Sequence, residues 1–291
     1  MTADFAERFA ANVDQAEFWN SAQGEKWVAH QADFDQRLGL LGDALLSRAA
    51  IRRGERVIDV GCGTGATTLE LADRVGPEGS VLAIDLSAPM LALARRRSAE
   101  RGQDNVRFLC ADAQSHRFEV AAHDLLISRF GVMFFSDPIA AFANLRSALR
   151  PGGRLGFVCW AALERNPWFA LPLAAGERWL GAAEPQPPRA PGPLALSEGG
   201  YVEDILAAAG FADVAIETVA TRLPGAPTAE AEATFACLAG PLARLIRTRE
   251  PDAATERAII GEITERFRPF QSAAGVRIPA TLHFVRARQP A

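Results

Sequence analysis

The chain has 291 residues, of which 49% are hydrophobic and 23% are charged, a composition typical of a soluble globular protein with a substantial core. Its net charge of −4 argues against a nucleic-acid-binding surface, which normally requires a basic excess. The four cysteines lack the spacing of a zinc site or a disulfide framework, so we expect reduced thiols in a cytoplasmic protein. The acidic N-terminus lacks an apolar leader, and no long apolar run predicts a membrane span.

Helical structure is predicted ahead of the first strand. Residues 14–31 carry Trp19 and Trp27 among polar residues, and the spacing of apolar residues over 38–49 predicts an amphipathic helix. The two tryptophans either pack this segment onto the sheet or belong to a lid that folds over a ligand. The sequence leaves both interpretations open.

A glycine-rich turn organises the central part of the chain. A short buried strand is predicted at 57–60, Gly61, Gly63 and Gly65 follow it, and a helical pattern comes next. Glycines permit a sharp turn with positive φ and the close approach of a ligand. The helix N-terminus behind them offers unpaired amides, so this turn is a candidate ligand-binding element.

An acid ends the next predicted strand. Residues 81–85 form a second apolar run, and Asp85 lies at its end. In a doubly wound sheet, a carboxylate at this position accepts the hydrogen bonds of a ribose diol. Asp85 has an alternative role as a cap of the helix that starts near Ser87. We favour the ligand role, because the turn and this acid together describe a nucleoside site.

Strands and helices alternate up to residue 160, which predicts a parallel sheet with its ligand at the carboxyl ends of the strands. The further elements of this part are strands at 106–110, 124–128 and 154–160, a helix at 88–101, and a helix that Asp137 caps.

Beyond residue 160 the pattern is looser. The predicted elements are a helix at 166–180, a proline-rich linker at 184–193, a helix capped by Ser197, a strand at 213–221, amphipathic runs at 235–245 and 259–267, and a strand at 281–288. The inserted amphipathic runs either cap the substrate or cover an exposed sheet face, and both alternatives stay open.

The motif DVGCGTG at 59–65, followed by an acid at the end of the second strand, resembles the first two motifs of the class I S-adenosylmethionine-dependent methyltransferases. A helix ending in RPGG before the fifth strand is a further trait of that family. The resemblance implies S-adenosyl-L-methionine as the cofactor, with the glycines along its methionine moiety, Asp59 at its amino group and Asp85 at the ribose hydroxyls. It also implies that Asp112 accepts from the adenine amino group and that Ala113 offers its amide to the ring. The implied cofactor-binding residues are Asp59, Gly61, Gly63, Gly65, Asp85, Leu86, Met90, Asp112, Ala113, Ser128 and Arg129.

The same resemblance implies the fold class. We expect a doubly wound, Rossmann-like α/β sheet of about seven strands whose last strand is antiparallel. One domain over 1–291 would comprise an N-terminal helical lid at 1–50, a cofactor-binding core at 51–160, and a substrate cap with the last strands at 161–291.

The expected activity is in-line methyl transfer to an oxygen, carbon or nitrogen of a small hydrophobic or aromatic molecule. The chain is similar to the branch that includes ubiquinone and menaquinone biosynthesis methyltransferases, and it differs from them in its long C-terminal insertion. His30 is the first candidate for a general base. No metal is expected, because the loop after the fourth strand supplies no clustered carboxylates. The predicted substrate contacts are Trp19, Trp27, Phe130 and Trp160.

Two other functions remain open at this stage. Ala66 fits the sixth position of a dinucleotide-binding G-x-G-x-x-G/A motif, which keeps an NAD(P)-dependent oxidoreductase possible. A cofactor-binding partner subunit that does not catalyse is the other alternative. The sequence makes no prediction of the oligomeric state.

Overall fold

The computed structural model describes residues 9–291 and contains two compact units. The first comprises the described residues up to 159 together with 198–217 and 283–291, and the second comprises 160–197 and 218–282. The expected single domain stays a prediction. The sequence predicts no apolar leader at the N-terminus. Residues 1–8, which belong to that prediction, lie outside the described residues. Among residues 9–291, no helix is long and apolar enough to cross a membrane.

The strands of the described chain are β1 (Arg56–Val60), β2 (Ser80–Asp85), β3 (Val106–Cys110), β4 (His123–Arg129), β5 (Leu149–Trp160), β6 (Ala212–Pro224), β7 (Gln271–Ser272) and β8 (Gly275–Arg288). Their order in the sheet is β3-β2-β1-β4-β5-β8-β6, and β7 pairs with β8. Strands β1 to β5 pair in parallel. The amide of Gly152, near the start of β5, donates to the carbonyl of Gln289 just beyond β8, so these two strands run antiparallel. The predicted fold class is confirmed.

The helices are α1 (Val13–Trp19), α2 (Ala22–Ala29), α3 (Gln31–Arg48), α4 (Ala66–Val75), α5 (Ala88–Glu100), α6 (Pro138–Ala148), α7 (Pro167–Leu180), α8 (Gly199–Ala208), α9 (Ala229–Ala236), α10 (Gly240–Arg249) and α11 (Ala253–Phe267). The predicted cap of α6 is confirmed, because Asp137 accepts from the amide of Ala140. The predicted cap of α8 is wrong: the helix starts after Glu198 with no side-chain cap, since Ser197 belongs to the preceding turn.

The strand register places the candidate site residues at one edge of the sheet. Asp59 of β1 lies opposite Ala83 of β2 and Ile127 of β4. Asp85 ends β2, so both carboxylates lie at the carboxyl ends of neighbouring strands. The position rules of doubly wound sheets put the ligand at this edge.

The second unit contains helices α7, α9, α10 and α11, which bury apolar side chains, together with parts of the last strands. Gly176 of α7 lies so near α10 that an added Cβ would be 2.4 Å from Leu242 Cδ1. The predicted amphipathic run at 235–245 forms two helices instead of one, because Gly240 takes a φ of +74° and Pro241 follows it in the first turn of α10.

Candidate functional site

The three glycines of the turn differ in what surrounds them. All three have positive φ, at +68° for Gly61, +55° for Gly63 and +88° for Gly65. A Cβ on Gly61 would lie 2.5 Å from the Cα of Gly131, so the protein itself fills that side. A Cβ on Gly63 would meet only Met90 Sδ, 4.0 Å away. The turn is therefore open to a ligand at Gly63, and Met90 borders the open space.

Asp85, on the neighbouring strand, forms a hydrogen bond with this turn. Its Oδ2 accepts from the amide of Gly63 at 2.7 Å, and its Oδ1 accepts from the amide of Ser87 at 2.8 Å. Burial raises the pKa of Asp85, and hydrogen bonds from the backbone amides of Ser87, Gly63 and Leu86 oppose that rise. A carboxylate has about four acceptor positions, so some acceptor capacity stays available for a ligand hydroxyl. The capping role and the ligand role weighed from the sequence are thus compatible.

Asp59 is a buried carboxylate that the described chain only half satisfies. Its side chain is 1% exposed, and its Oδ2 accepts from Thr68 Oγ1 at 2.6 Å. Its Oδ1 has no hydrogen-bond partner among the described residues. Burial raises the pKa of Asp59 to about 6, although Thr68 and the charge of Arg129 oppose the rise. A cationic N–H donor would satisfy this oxygen.

Ser128 and Arg129 make their polar contacts within the protein. The hydroxyl of Ser128 donates to the carbonyl of Val60 at 2.7 Å and accepts from the amides of Gly131 and Val132, so it fixes the loop after β4. The guanidinium of Arg129 donates to the carbonyl of Leu38 at 3.4 Å, and burial lowers its pKa. Their predicted role as cofactor contacts stays a prediction.

The adenine end implied by the family resemblance lies beyond β3. Asp112 is 2% exposed and borders an open cavity of about 410 Å³ that is lined by residues 109–112 and 115–117. The carbonyl of Ala113 accepts from Asn144 Nδ2 at 3.0 Å. Leu86, beside Asp85, uses its carbonyl to accept from Asn20 Nδ2 at 2.9 Å.

Two asparagines near the N-terminus contact this edge and were missed by the sequence analysis. Asn12 donates to Asp112, and Asn20 contacts the loop after β2 through Leu86 and the amide of Ala88. Their partners lie 66 to 100 residues further along the chain. No local pattern marks either residue, because the contacts arise only when the N-terminal segment meets the sheet edge.

The two N-terminal tryptophans belong to an aromatic cluster beside the loop after β4. Trp19 contacts Trp27 and Phe134 edge to face, with ring centroids 5.8 and 5.3 Å apart. Trp27 also stacks on Phe34 at 3.6 Å. Phe130, in the same loop, has a φ of +65°, a conformation that is costly for a bulky residue and is concentrated at functional sites. These rings are the apolar candidates for a substrate surface.

Trp160, the remaining predicted substrate contact, is 4% exposed. Its ring stacks on Trp168 with centroids 5.7 Å apart and meets Phe169 edge to face at 4.8 Å. Trp160 is therefore packed among aromatic rings, and its predicted role as a substrate contact stays a prediction.

The histidines are separated along the chain. His30 lies between α2 and α3, with its side chain 41% exposed and its Nδ1 3.4 Å from Asp33 Oδ2. His123 starts β4, at the opposite edge from Asp59, and burial lowers its pKa. In residues 9–291, no group of three or more histidine, cysteine or carboxylate side chains is arranged to hold a metal ion.

Comparison with known proteins gives a family match over the central part of the chain. Residues 57–153 match a family model described as a methyltransferase domain. The chain is 38% identical to the aklanonic acid methyltransferase DauC of Streptomyces sp. strain C5 over 36% of this chain and 47% of that protein. It is 32% identical to the nocamycin O-methyltransferase of Saccharothrix syringae over 58% of this chain and 64% of that protein. Ubiquinone/menaquinone C-methyltransferases are also among its relatives. The chain thus spans about half to two thirds of the length of these relatives.

A solved structure supports the fold. The phosphoethanolamine N-methyltransferase 2 of Haemonchus contortus, in complex with S-adenosyl-L-methionine, aligns with a TM-score of 0.54 at 18% identity, over 86% of this chain and 52% of that one. At this identity the likeness shows the fold alone. The part of the chain that matches a methyltransferase domain, residues 57–153, contains the glycine turn, Asp59 and Asp85.

Proposed function

We propose that the protein transfers a methyl group from S-adenosyl-L-methionine to a small hydrophobic or aromatic molecule. The observation that carries the proposal is the half-satisfied carboxylate of Asp59. Asp59 lies on β1, next to the strand that ends in Asp85, and β1 leads into the turn that is open at Gly63. The relatives named as aklanonic acid and nocamycin methyltransferases support a small-molecule substrate.

The residues of this edge fit the proposed donor. Asp59 would accept from its ammonium group, the open face of Gly63 would admit its chain, and the free acceptor positions of Asp85 would take the ribose hydroxyls. When bound, S-adenosylmethionine supplies a methyl group that its positive sulfonium activates. The ammonium would also stabilise the ionised form of Asp59 and lower its pKa from about 6.

The chain's own contribution to the reaction is alignment and the exclusion of water. Positioning of two reacting groups is worth about 7 to 11 kcal/mol. Trp19, which packs edge to face against both Trp27 and Phe134, would supply with Trp27 an apolar surface for the acceptor. If the acceptor needs deprotonation, His30 is the proposed base. If the neutral ring of His30 carries its proton on Nδ1, facing Asp33, then Nε2 is the nitrogen that would accept the proton of the substrate.

The sequence left two alternative functions open, an NAD(P)-dependent oxidoreductase and a cofactor-binding subunit without catalysis, and the observations support them to different degrees. The matched family is a methyltransferase family, which does not favour an NAD(P)-dependent oxidoreductase. A cofactor-binding subunit without catalysis shares every feature of the donor site, so only turnover separates it from an enzyme.

The test begins with calorimetric binding of S-adenosylhomocysteine and NADH to the wild-type protein, to Asp85→Asn and to Asp73→Asn. Asp73 is an exposed acid on α4 and serves as the matched control. We expect S-adenosylhomocysteine to bind more tightly than NADH, with affinity reduced only in Asp85→Asn. Tighter binding of NADH would overturn the proposal.

Labelled-methyl transfer is then measured with a panel of hydroxylated aromatic acceptors and with a cell extract. We expect a labelled small molecule that forms more slowly with the Asp85→Asn variant when the donor concentration is below saturation. Binding of the donor without any labelled product would favour the non-catalytic subunit.

A further inference from the structure

The N-terminal segment reaches the acid that the family resemblance assigns to adenine. Asn12, which is 4% exposed and precedes α1, donates from Nδ2 to both Oδ1 and Oδ2 of Asp112, each at 2.9 Å. Its amide therefore sits across the carboxylate, where an exocyclic amino group would bind.

The remaining acceptor positions of Asp112 are also occupied. The amide of Gln114 donates to Oδ1 at 2.9 Å, and Ser115 Oγ donates to Oδ2 at 3.4 Å. Asn12 Nδ2 also donates to Gln114 Oε1 at 3.2 Å, so one of its two N–H groups is shared between the oxygens of Asp112. Each of these oxygens thus has two hydrogen-bond contacts within the protein. Because Asp112 is also 2% exposed, an adenine amino group can donate to it only after Asn12 has left.

We propose that Asn12 competes with the adenine amino group of the donor for Asp112 and thereby sets how strongly the protein selects adenine. This inference rests on the proposed function. A primary amide and the adenine amine are both N–H donors to the same charged acceptor, so exchanging one for the other changes the binding free energy little. The wild-type protein therefore gains little affinity from the adenine amino group.

The same exchange links donor binding to the loop after β4. Asn12 Oδ1 accepts from the amide of Ser136 at 2.7 Å, and Ser136 Oγ donates to the carbonyl of Ala11 at 2.5 Å. That loop also contains Phe134, which contacts Trp19 of the aromatic cluster. Departure of Asn12 from Asp112 would weaken this attachment of the N-terminal segment, while Asn20 would keep its own contacts with Leu86 and Ala88.

The experiment compares S-adenosylhomocysteine with its analogue that lacks the 6-amino group on the purine. Dissociation constants of both are measured calorimetrically for the wild-type protein, Asn12→Ala and Asn12→Leu. The leucine variant keeps the side-chain volume but has no amide donor. In both variants the empty acceptor positions of Asp112 become available to adenine, so the preference for the amino group should increase about tenfold or more over the wild type.

The controls separate competition from a structural role. Ser21→Ala removes the cap of α2 on the same segment without touching Asp112, and its preference for the amino group should equal that of the wild type. A preference that is unchanged or reduced in both Asn12 variants would overturn the inference, since a residue that merely orients Asp112 would weaken adenine binding when removed. Failure of the wild-type protein to bind S-adenosylhomocysteine would instead overturn the proposed function.

Discussion

The buried carboxylate of Asp59 should destabilise the protein in the absence of the donor. Burial raises its pKa from 3.8 to about 6, a shift of roughly 2.2 pH units. At 1.36 kcal/mol per unit, the ionised carboxylate costs the folded state about 3 kcal/mol near neutral pH. We therefore expect Asp59→Asn to remove this cost.

The substitution also introduces a cost. The amide of asparagine can still accept from Thr68, but its N–H donors would meet the position of Oδ1, which has no partner in the described chain. An unsatisfied buried donor costs about 1 to 3 kcal/mol. The net change in the free energy of unfolding at pH 7.5 should therefore lie between about 0 and +2 kcal/mol, whereas affinity for S-adenosylhomocysteine should fall about 10- to 150-fold.

The pH dependence of the free energy of unfolding separately tests whether ionised Asp59 destabilises the folded state. In the folded state Asp59 takes up its proton near pH 6, while in the unfolded state it does so near 3.8, so wild-type stability should rise as the pH falls through 6. Between pH 7.5 and pH 5 this single group contributes a gain on the order of 1 kcal/mol, which Asp59→Asn should lack.

Urea unfolding of the ligand-free proteins at both pH values, with calorimetric titration of S-adenosylhomocysteine, measures both effects. Asp73→Asn again serves as a surface control, because its carboxylate is 57% exposed. A variant that loses more than about 1 kcal/mol at pH 7.5 and still binds the ligand as tightly as the wild type would refute this account, because such losses are ordinary for a structural residue.

Three further substitutions test the rest of the edge. Asp85→Ala should weaken binding of S-adenosylhomocysteine by about 1.5 to 3 kcal/mol, and unchanged affinity on titration would leave Asp85 as a cap only. Gly65→Ala should lower the free energy of unfolding in urea by more than Gly63→Ala. The new Cβ at position 65 would lie 3.0 Å from Ala94 Cβ, whereas a Cβ at position 63 would have only Met90 Sδ at 4.0 Å. Equal losses would contradict this ranking. Ser128→Ala should lower the unfolding free energy by about 1 to 3 kcal/mol, because it leaves buried groups of the loop after β4 unsatisfied, and a neutral result would count against the hydroxyl as the link between β1 and that loop.

The elements with strong local patterns could be predicted from the sequence. The bounds of β1 to β4 agree within one residue, because a buried parallel strand reads as a short apolar run between breakers. Strand β5 starts at Leu149, five residues before its predicted start, since the RPGG stretch continues in the sheet instead of forming a separate turn. Local signals do not reveal contacts between distant parts of the chain, such as that of Asn20 with Leu86, 66 residues further on.

The candidate site divides in the same way. Asp59, the glycines and Asp85 lie within two short motifs that carry the family resemblance, and the structure brings them to one edge. Asn12 and its contact with Asp112 span 100 residues, so only the folded chain reveals them. The prediction for Asp112 named its ligand-binding role but not the side chain that already occupies its carboxylate.

Three of the contacts between the N-terminal segment and the sheet lie beside the positions proposed for the three parts of the donor. Next to the glycine turn, Asp35 of α3 accepts from Arg97 at 2.7 Å, and Arg97 in turn donates to the carbonyl of Thr64. Next to Asp85, Asn20 holds the loop after β2. At the adenine end, Asn12 holds Asp112. These contacts pack the segment onto the sheet and also place it beside the proposed donor site, so packing onto the sheet and covering a ligand are compatible roles for it.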